Sequence, residues 1–413
     1  MRGARIASLS AFLSVGAISL PLLASSASAV AVRPRTTPSV GTQLAELKGS
    51  DTGGADQFGF SVGISGTTVV VGASGYYNGA PGRAYVFTKA ATGWKQGTEL
   101  TGSDTGGTDQ FGFSVGISGT TAVVGAPAHA RHAGRAYVFT RTRAGWKQTA
   151  ELKGSDTVGW DQFGYSVAIL GTTVVVGAPG QLGGPNRGGR AYVFMKTGLG
   201  WKQAAELKGN DTVGSNFPFP GDWFGYSVAI SGTTVVVGAP QHAYGGSAYV
   251  FTRTATGWRQ VAELAGVAGD GFGNSVAVSS ATVVVGAENH ANFAGGAYVF
   301  TRTGAGWQQA AELKGSDTGG SDDFGISVAV SGTTALVGAD EHANSAGRAY
   351  LFTETSTGWK QTAELKGSDT VGWHGSFFTG DKFGWSVAIS GTNAVVGAAY
   401  HDEYAGRVYV FEA

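Results

Sequence analysis

The side chains in this sequence that could bind metal, move protons or stack on rings recur at fixed intervals. Five of the seven His residues, His129, His242, His290, His342 and His401, sit four positions after the Gly of a repeated Gly-Ala pair. Tyr76 and Gln181 hold that position in the other two copies. Imidazoles at one repeated position suggest metal ligation, but equivalent loops of adjacent repeats stand on the order of 10 Å apart, whereas zinc takes nitrogens at about 2 Å. No metal shared between repeats is therefore expected. Each His is assigned to bonds within its own loop or to ligand contact, and in the second role it would make binding sensitive to acid. An Asp stands two residues before each repeated Phe: Asp56, Asp109, Asp161, Asp222, Asp270, Asp322 and Asp381. Such regularity points to carboxylate bonds with loop amides rather than to catalysis. Four Trp lie outside the repeated Gly-Trp pair, namely Trp160, Trp223, Trp373 and Trp385. Flat rings beside Asn, Asp and His suit sugar stacking or protein docking. The candidate ligand contacts are thus Trp160, Trp223, Trp373, the five repeated His, Tyr76 and Tyr404.

What must hold these residues is the frame Phe58 to Gly72, FGFSVGISGTTVVVG, which restarts at Phe111, Phe163, Phe224, Phe272, Phe324 and Phe383 with its Gly always 14 positions on. Residues alternate with period two and show no helical stripe, so the frame reads as two β-strands joined by a tight turn at Ser65-Gly66. A third strand follows at Ala84-Tyr-Val-Phe87 and its equivalents, and a fourth opens at a Trp nine residues after the Tyr. Four short antiparallel strands per repeat, seven times, predict an all-β seven-bladed propeller. The last copy stops at Tyr409-Val-Phe-Glu-Ala413 without a fourth strand, while Gln43-Leu-Ala-Glu-Leu47 is an orphan of that type. Residues 42–48 are expected to complete the last blade and close the ring.

Phe-Gly-x-Ser-Val followed by Val-Val-Gly-Ala-Pro, as in Phe111 to Pro127, resembles the FG-GAP repeat of integrin α-subunit propellers and of bacterial secreted proteins. The resemblance covers nearly all of residues 41–413. It implies a propeller used for adhesion or ligand binding, its ligand face formed by the connections from strand two to three and from strand four to the next strand one. The integrin calcium loop Asp-x-Asp-x-Asp-Gly between strands one and two is replaced here by Ser-Gly-Thr-Thr or a close variant such as Ser280-Ala281-Thr282. Lacking acidic oxygens, that turn is not expected to cage calcium, and no cofactor is expected.

Spacing separates the same two faces. Gly-Ala to Tyr varies from 11 to 15 residues and Trp to the next Phe from 14 to 24, while the other two connections are constant. Variable loops on a rigid scaffold are where binding resides. Five Arg precede strand three (Arg83, Arg135, Arg190, Arg348, Arg407) and are expected to pair with an Asp of a neighbouring loop or to form a basic ring. Lys plus Arg equals Asp plus Glu at 28 each, which leaves no footprint for nucleic acid or an anionic membrane. Residues 1–29, with Arg2 and Arg5, an apolar stretch and Ala27-Ser-Ala29, read as a cleaved export signal, and 30–40 as a flexible lead-in to a single propeller over 41–413. With no Cys, the chain fits a bacterial secreted or periplasmic protein held by its core alone. The expectation is a non-enzymatic, monomeric binding protein, not inserted in a membrane, whose partner is a cell-surface protein or carbohydrate. The alternatives are a glycosidase or lyase using Asp402 and Glu403, and a structural envelope module.

Overall fold

Seven four-stranded antiparallel sheets, each hydrogen-bonded in the order first to fourth strand, succeed one another along the chain. The computed structural model describes residues 38–180, 188–214, 221–267, 269–373 and 380–413; residues 1–37, where an export signal and most of the lead-in are expected, Gln181 and the middles of the two longest loops lie outside the described residues. The first blade comprises Phe58–Ser65, Thr68–Ala73, Arg83–Ala90 and Gly93–Leu100. The seventh takes Phe383–Ser390, Asn393–Ala398 and Arg407–Glu412 from the C-terminus and Gln43–Leu47 from the N-terminus. Gln43 pairs with Phe411 and Leu47 with Val408, so the orphan strand closes the ring as its sequence predicts.

Strand two, Thr-Val-Val-Val-Gly-Ala, is buried on both faces because each sheet is covered by its two neighbours. Val70, Ala84 and Val86 of the first blade pack with Phe111, Val124, Tyr137 and Phe139 of the second. The outer strand, Gly93–Leu100, alternates exposed and half-buried residues, as a solvent-facing edge must. Burial of one such Phe, fully enclosed at position 111, is worth about 3–5 kcal/mol against Ala.

The Phe-Gly, Ser and Gly-Ala landmarks are parts of one joint between blades. A Cβ on Gly72 would lie 1.9 Å from the carbonyl oxygen of Gly112, the Gly of the next Phe-Gly. Ser61 Oγ donates to that same carbonyl at 2.8 Å, and the contact recurs round the ring to Ser386 on Gly59. Only Gly permits backbones this close. Gly59-Phe-Ser61-Val-Gly63 spells the Gly-x-Ser-x-Gly of a nucleophile elbow, yet its Ser lies on a strand with its hydroxyl given to the neighbouring blade.

Strict alternation within strand one would put Phe58 and Phe60 on one face. The structure separates them. The register slips between Phe58 and Ser61, where Gly59 takes φ +91°, so Phe58 enters the blade core while Phe60 meets Phe113 and Trp385, its counterparts in the adjacent blades.

Candidate functional site

On the variable-loop face each repeated His is a strut between two connections of its own blade. His129 Nδ1 lies 2.9 Å from Asp109, His242 2.9 Å from Asp222, His342 3.0 Å from Asp322 and His401 2.9 Å from Asp381. His290 stands 3.1 Å from Asp270. The Asp in turn accepts a backbone N–H of the loop leading to strand one in all seven blades, from Gly53 to Asp56 at 2.9 Å round to Val371 to Asp381 at 2.7 Å. The sequence assigned this Asp to loop amides; it did not pair it with the His twenty residues on. The rings are mostly buried, and Nε2 faces a second carboxylate, at 3.6 Å from Asp104 and 3.5 Å from Asp317. In the first blade Tyr76 points outward and Asn78 donates to Asp56 instead, at 2.6 Å.

The five Arg do not form a ring for an anion. Their main partner is the Glu of the outer strand of the same blade, as in Arg135 to Glu151 at 2.7 Å and Arg190 to Glu206 at 2.6 Å. Besides this Glu, a loop Asp is reached by Arg83, at Asp51, and by Arg407, at Asp402. The outer strand presents its Glu directly opposite strand three, where the Arg begins, so cross-strand proximity wins over the loop.

Strand one supplies an unforeseen feature. Phe60, Phe113, Tyr165 and Tyr226 follow one another round the axis with centroids 4.7–4.9 Å apart, and Trp385 closes on Phe60 at 5.5 Å. They surround the mouth of a central channel walled further in by residues such as Ile117, Ile169, Ile230 and Ile389. The aromatic arc is interrupted at Asn274 and Ile326, where charged residues gather. Asn274 donates to Glu288 at 2.7 Å and to the Ile326 carbonyl at 3.3 Å. Lys382 reaches Asp340 at 3.2 Å, pairs closely with Glu341 and lies over the rings of Trp385 and Tyr400. Burial, aided by Asp323 and Asp340, pushes the Glu288 carboxyl up to about 8; burial likewise lifts Asp323 to about 7 and Asp340 to about 6. These acids stand at ordinary repeat positions, Asp323 where the other blades carry Gln, Trp, Gly or Lys, and Glu288 and Asp340 where they carry Ser, Pro or Ala, and those substitutions were the sequence signal for them.

From Trp385 the aromatic surface continues over the seam between blades seven and one. Tyr400 packs on Trp385 at 5.5 Å and on Tyr404 at 5.0 Å, and Tyr77 joins Tyr404 at 5.2 Å and Tyr76 at 5.1 Å. Tyr76 and Tyr77 are 56% and 55% exposed. Of the candidates named from sequence, Tyr76 and Tyr404 meet here. The Trp do not form one cluster. Trp160 stacks on His132 at 4.7 Å between blades two and three, Trp223 on Tyr226 at 6.1 Å, and Trp373 is anchored by its backbone N–H, which donates to the Asn344 carbonyl between blades six and seven. Trp160 and Trp373 remain 47% and 53% exposed. Asp402 and Glu403 lie at the rim in an exposed turn, Asp402 held by Arg407 at 3.3 Å.

The fold and this face define a closed seven-bladed propeller whose individual loops surround an aromatic mouth. The chain belongs to the FG-GAP repeat family, which matches residues 42–87, 94–139, 146–194, 201–251, 258–300, 307–352 and 359–411. Each matched repeat runs from an outer strand into the first three strands of the next blade, so the overlap at the ring's closure is repeated at every joint. Over 142 residues the chain is 30% identical to human integrin alpha-D, a stretch equal to 30% of this chain and 12% of the integrin. A chain of the mitotic checkpoint complex crystal structure shares the fold, with a TM-score of 0.54 at 12% identity over 99% of both chains. The crystal structure of Saccharomyces cerevisiae Sqt1 gives a TM-score of 0.48 at 14% identity, over 91% of this chain and 100% of that one. Among the described residues no helix is long and apolar enough to cross a membrane.

Proposed function

We propose that the chain is a secreted, non-enzymatic binding propeller that recognises a cell-surface glycan or protein through its variable-loop face, with the tyrosine surface at the closing seam as the main contact. The observation that carries this reading is the continuity of Tyr76, Tyr77, Tyr404, Tyr400 and Trp385, part exposed and part locked by ring contacts. Rigid amphipathic rings bind at low entropic cost and offer both a stacking face and a hydroxyl. The Arg2-to-Ala29 export pattern and the similarity to an integrin support the extracellular setting. The test is a glycan array probed with the purified chain and with Tyr77→Ala. Glycan-specific binding that falls at least tenfold in the variant is expected. Loss of binding in Trp160→Ala and Trp373→Ala but not in Tyr77→Ala would move the contact off the seam. A chain that binds no glycan is to be tested against cell-surface protein by pull-down with the same variants.

The acidic group at the mouth supports a second reading, a glycosidase or lyase, because a carboxyl held protonated near neutral pH is what a general acid requires. Turnover of a chromogenic glycoside, abolished by Glu288→Gln, is the outcome that would favour it.

A further inference from the structure

The fourth blade departs from its sisters at one position. Strand three begins with Arg in five blades, but with Ser247 in the fourth and Gly296 in the fifth. Where Arg is present, its Nε bonds the outer-strand Glu, as Arg348 does on Glu364 at 2.8 Å, and in three of the five blades, those of Arg135, Arg348 and Arg407, the repeated His is present as well. In the fifth blade Lys314 takes that part on Glu312 at 2.9 Å. In the fourth blade Glu263 accepts the Ser247 hydroxyl at 3.0 Å and lies against Asp211 and His242, and among the described residues no Lys or Arg pairs with it.

The groups this leaves together are donors for a cation. His242 Nδ1 is engaged by the buried Asp222 at 2.9 Å. In the neutral ring the proton then sits on Nδ1 and Nε2 presents a lone pair. Asp211 Oδ2 faces Nε2 at 3.6 Å and Glu263 Oε1 faces it at 3.7 Å, with the three ligating atoms all within 4.8 Å of one another. Bonds of about 2.1 Å in a tetrahedron put ligand atoms about 3.4 Å apart, so little movement is needed to seat an ion. The supports are in place: Tyr249 donates to the other oxygen of Asp211 at 2.9 Å, and Asp222 orients the imidazole as the outer carboxylate of a carboxylate–histidine–metal relay does. Three carboxylates against one imidazole also leave the pocket negative, where five sister blades add a guanidinium and the fifth blade an ammonium.

We infer that Asp211, His242 and Glu263 form a binding site for one divalent transition-metal ion, zinc foremost, with a fourth position left for water or for a group from a partner. The mixed nitrogen and carboxylate set favours zinc over calcium or magnesium. His residues of different blades stand too far apart to share an ion, whereas this site draws all its ligands from one blade and the loop leading into it. It stands apart from the glycan or protein reading, since it is read by metal binding alone.

The decisive experiment is calorimetric titration of the full chain with zinc chloride, with cobalt(II) absorption as a second readout. One ion per chain, a tetrahedral cobalt spectrum and a raised melting temperature are expected. Ser247→Arg installs the cation that five sister blades already carry, so it should fold normally and abolish binding. Glu263→Gln should weaken it at least tenfold. Arg135→Ser, which exposes Asp104, His129 and Glu151 in the second blade, should add a second, weaker ion. Absence of saturable zinc binding in the parent chain, or binding unchanged in Ser247→Arg, overturns the assignment.

Discussion

A carboxyl that keeps its proton to about pH 8 makes the fold weaker in alkali. Glu288 is such a group, lifted by burial and by the nearby Asp323 and Asp340. In the unfolded chain a Glu releases its proton near pH 4.3, so the folded state holds the proton more tightly. That contribution is complete below about pH 4.3 and is lost as the pH rises through about 8. Asp323 and Asp340 act in the same direction with lower upper limits, about 7 and about 6. The parent chain should therefore melt several degrees lower at pH 8.5 than at pH 6. Glu288→Gln keeps an oxygen for the Asn274 amide and should flatten the slope between pH 7 and 8.5, as thermal melts at a series of pH values would show. A variant with the parent's slope would mean the carboxyl is already ionised. The sequence displayed the His, the repeated Asp and Tyr76 at their positions. It could not show that each His meets its Asp, because that contact depends on two loops of one blade lying side by side. Alternation also put Phe60 on one face with Phe58, since a period of two cannot reveal a register slip at Gly59.

Strands and turns were far more legible, because seven copies of one pattern state the same geometry seven times. The hairpins of strands one and two also show what a single departure does. The Ser at the end of strand one accepts the N–H of the next blade's hairpin, as Ser65 does from Gly119 at 3.0 Å and Ser118 from Gly171 at 2.9 Å. Similar bonds link Ser231 to Ser280, Ser279 to Gly332, Ser331 to Gly391 and Ser390 to Gly66. The third blade carries Leu170 at this place, 42% exposed. Leu170→Ser gives up little buried surface and offers Gly232 the acceptor its sisters have. A gain of about 0.5–1 kcal/mol is expected, read as a shift of the urea midpoint at constant m-value. A loss of stability would show that Leu170 packs in a way its exposure conceals.

At the scale of the molecule, seven blades are held by contacts between neighbours, and a ring differs from a row by one joint, that between blades seven and one. The joint is tied by the strand Gln43–Leu47, which runs on into the first blade and lies along Arg407–Glu412 of the last. It brings the buried Leu47 into the core shared with Phe58 and Tyr85, pairs Glu46 with Arg407 at 3.1 Å, and sets Gln43 against Ser368 at 3.1 Å. Removing residues 38–48 thus deletes a ladder, a core side chain and two polar links, and leaves strand three of the last blade as an unpaired edge. The truncated chain should melt well below the full one, by more than a terminal trim costs, and should associate in proportion to its concentration, measurable by light scattering. A synthetic peptide of residues 41–48 should restore part of the melting temperature, since it can refill the vacant place in the sheet. If the truncated chain melts within a degree or two of the parent and stays monomeric, the six remaining complete blades hold the ring without its clasp. The seam tyrosines Tyr77, Tyr400 and Tyr404 bridge the same two blades. Loss of the clasp should therefore also weaken ligand binding at that surface, before any other loop is affected.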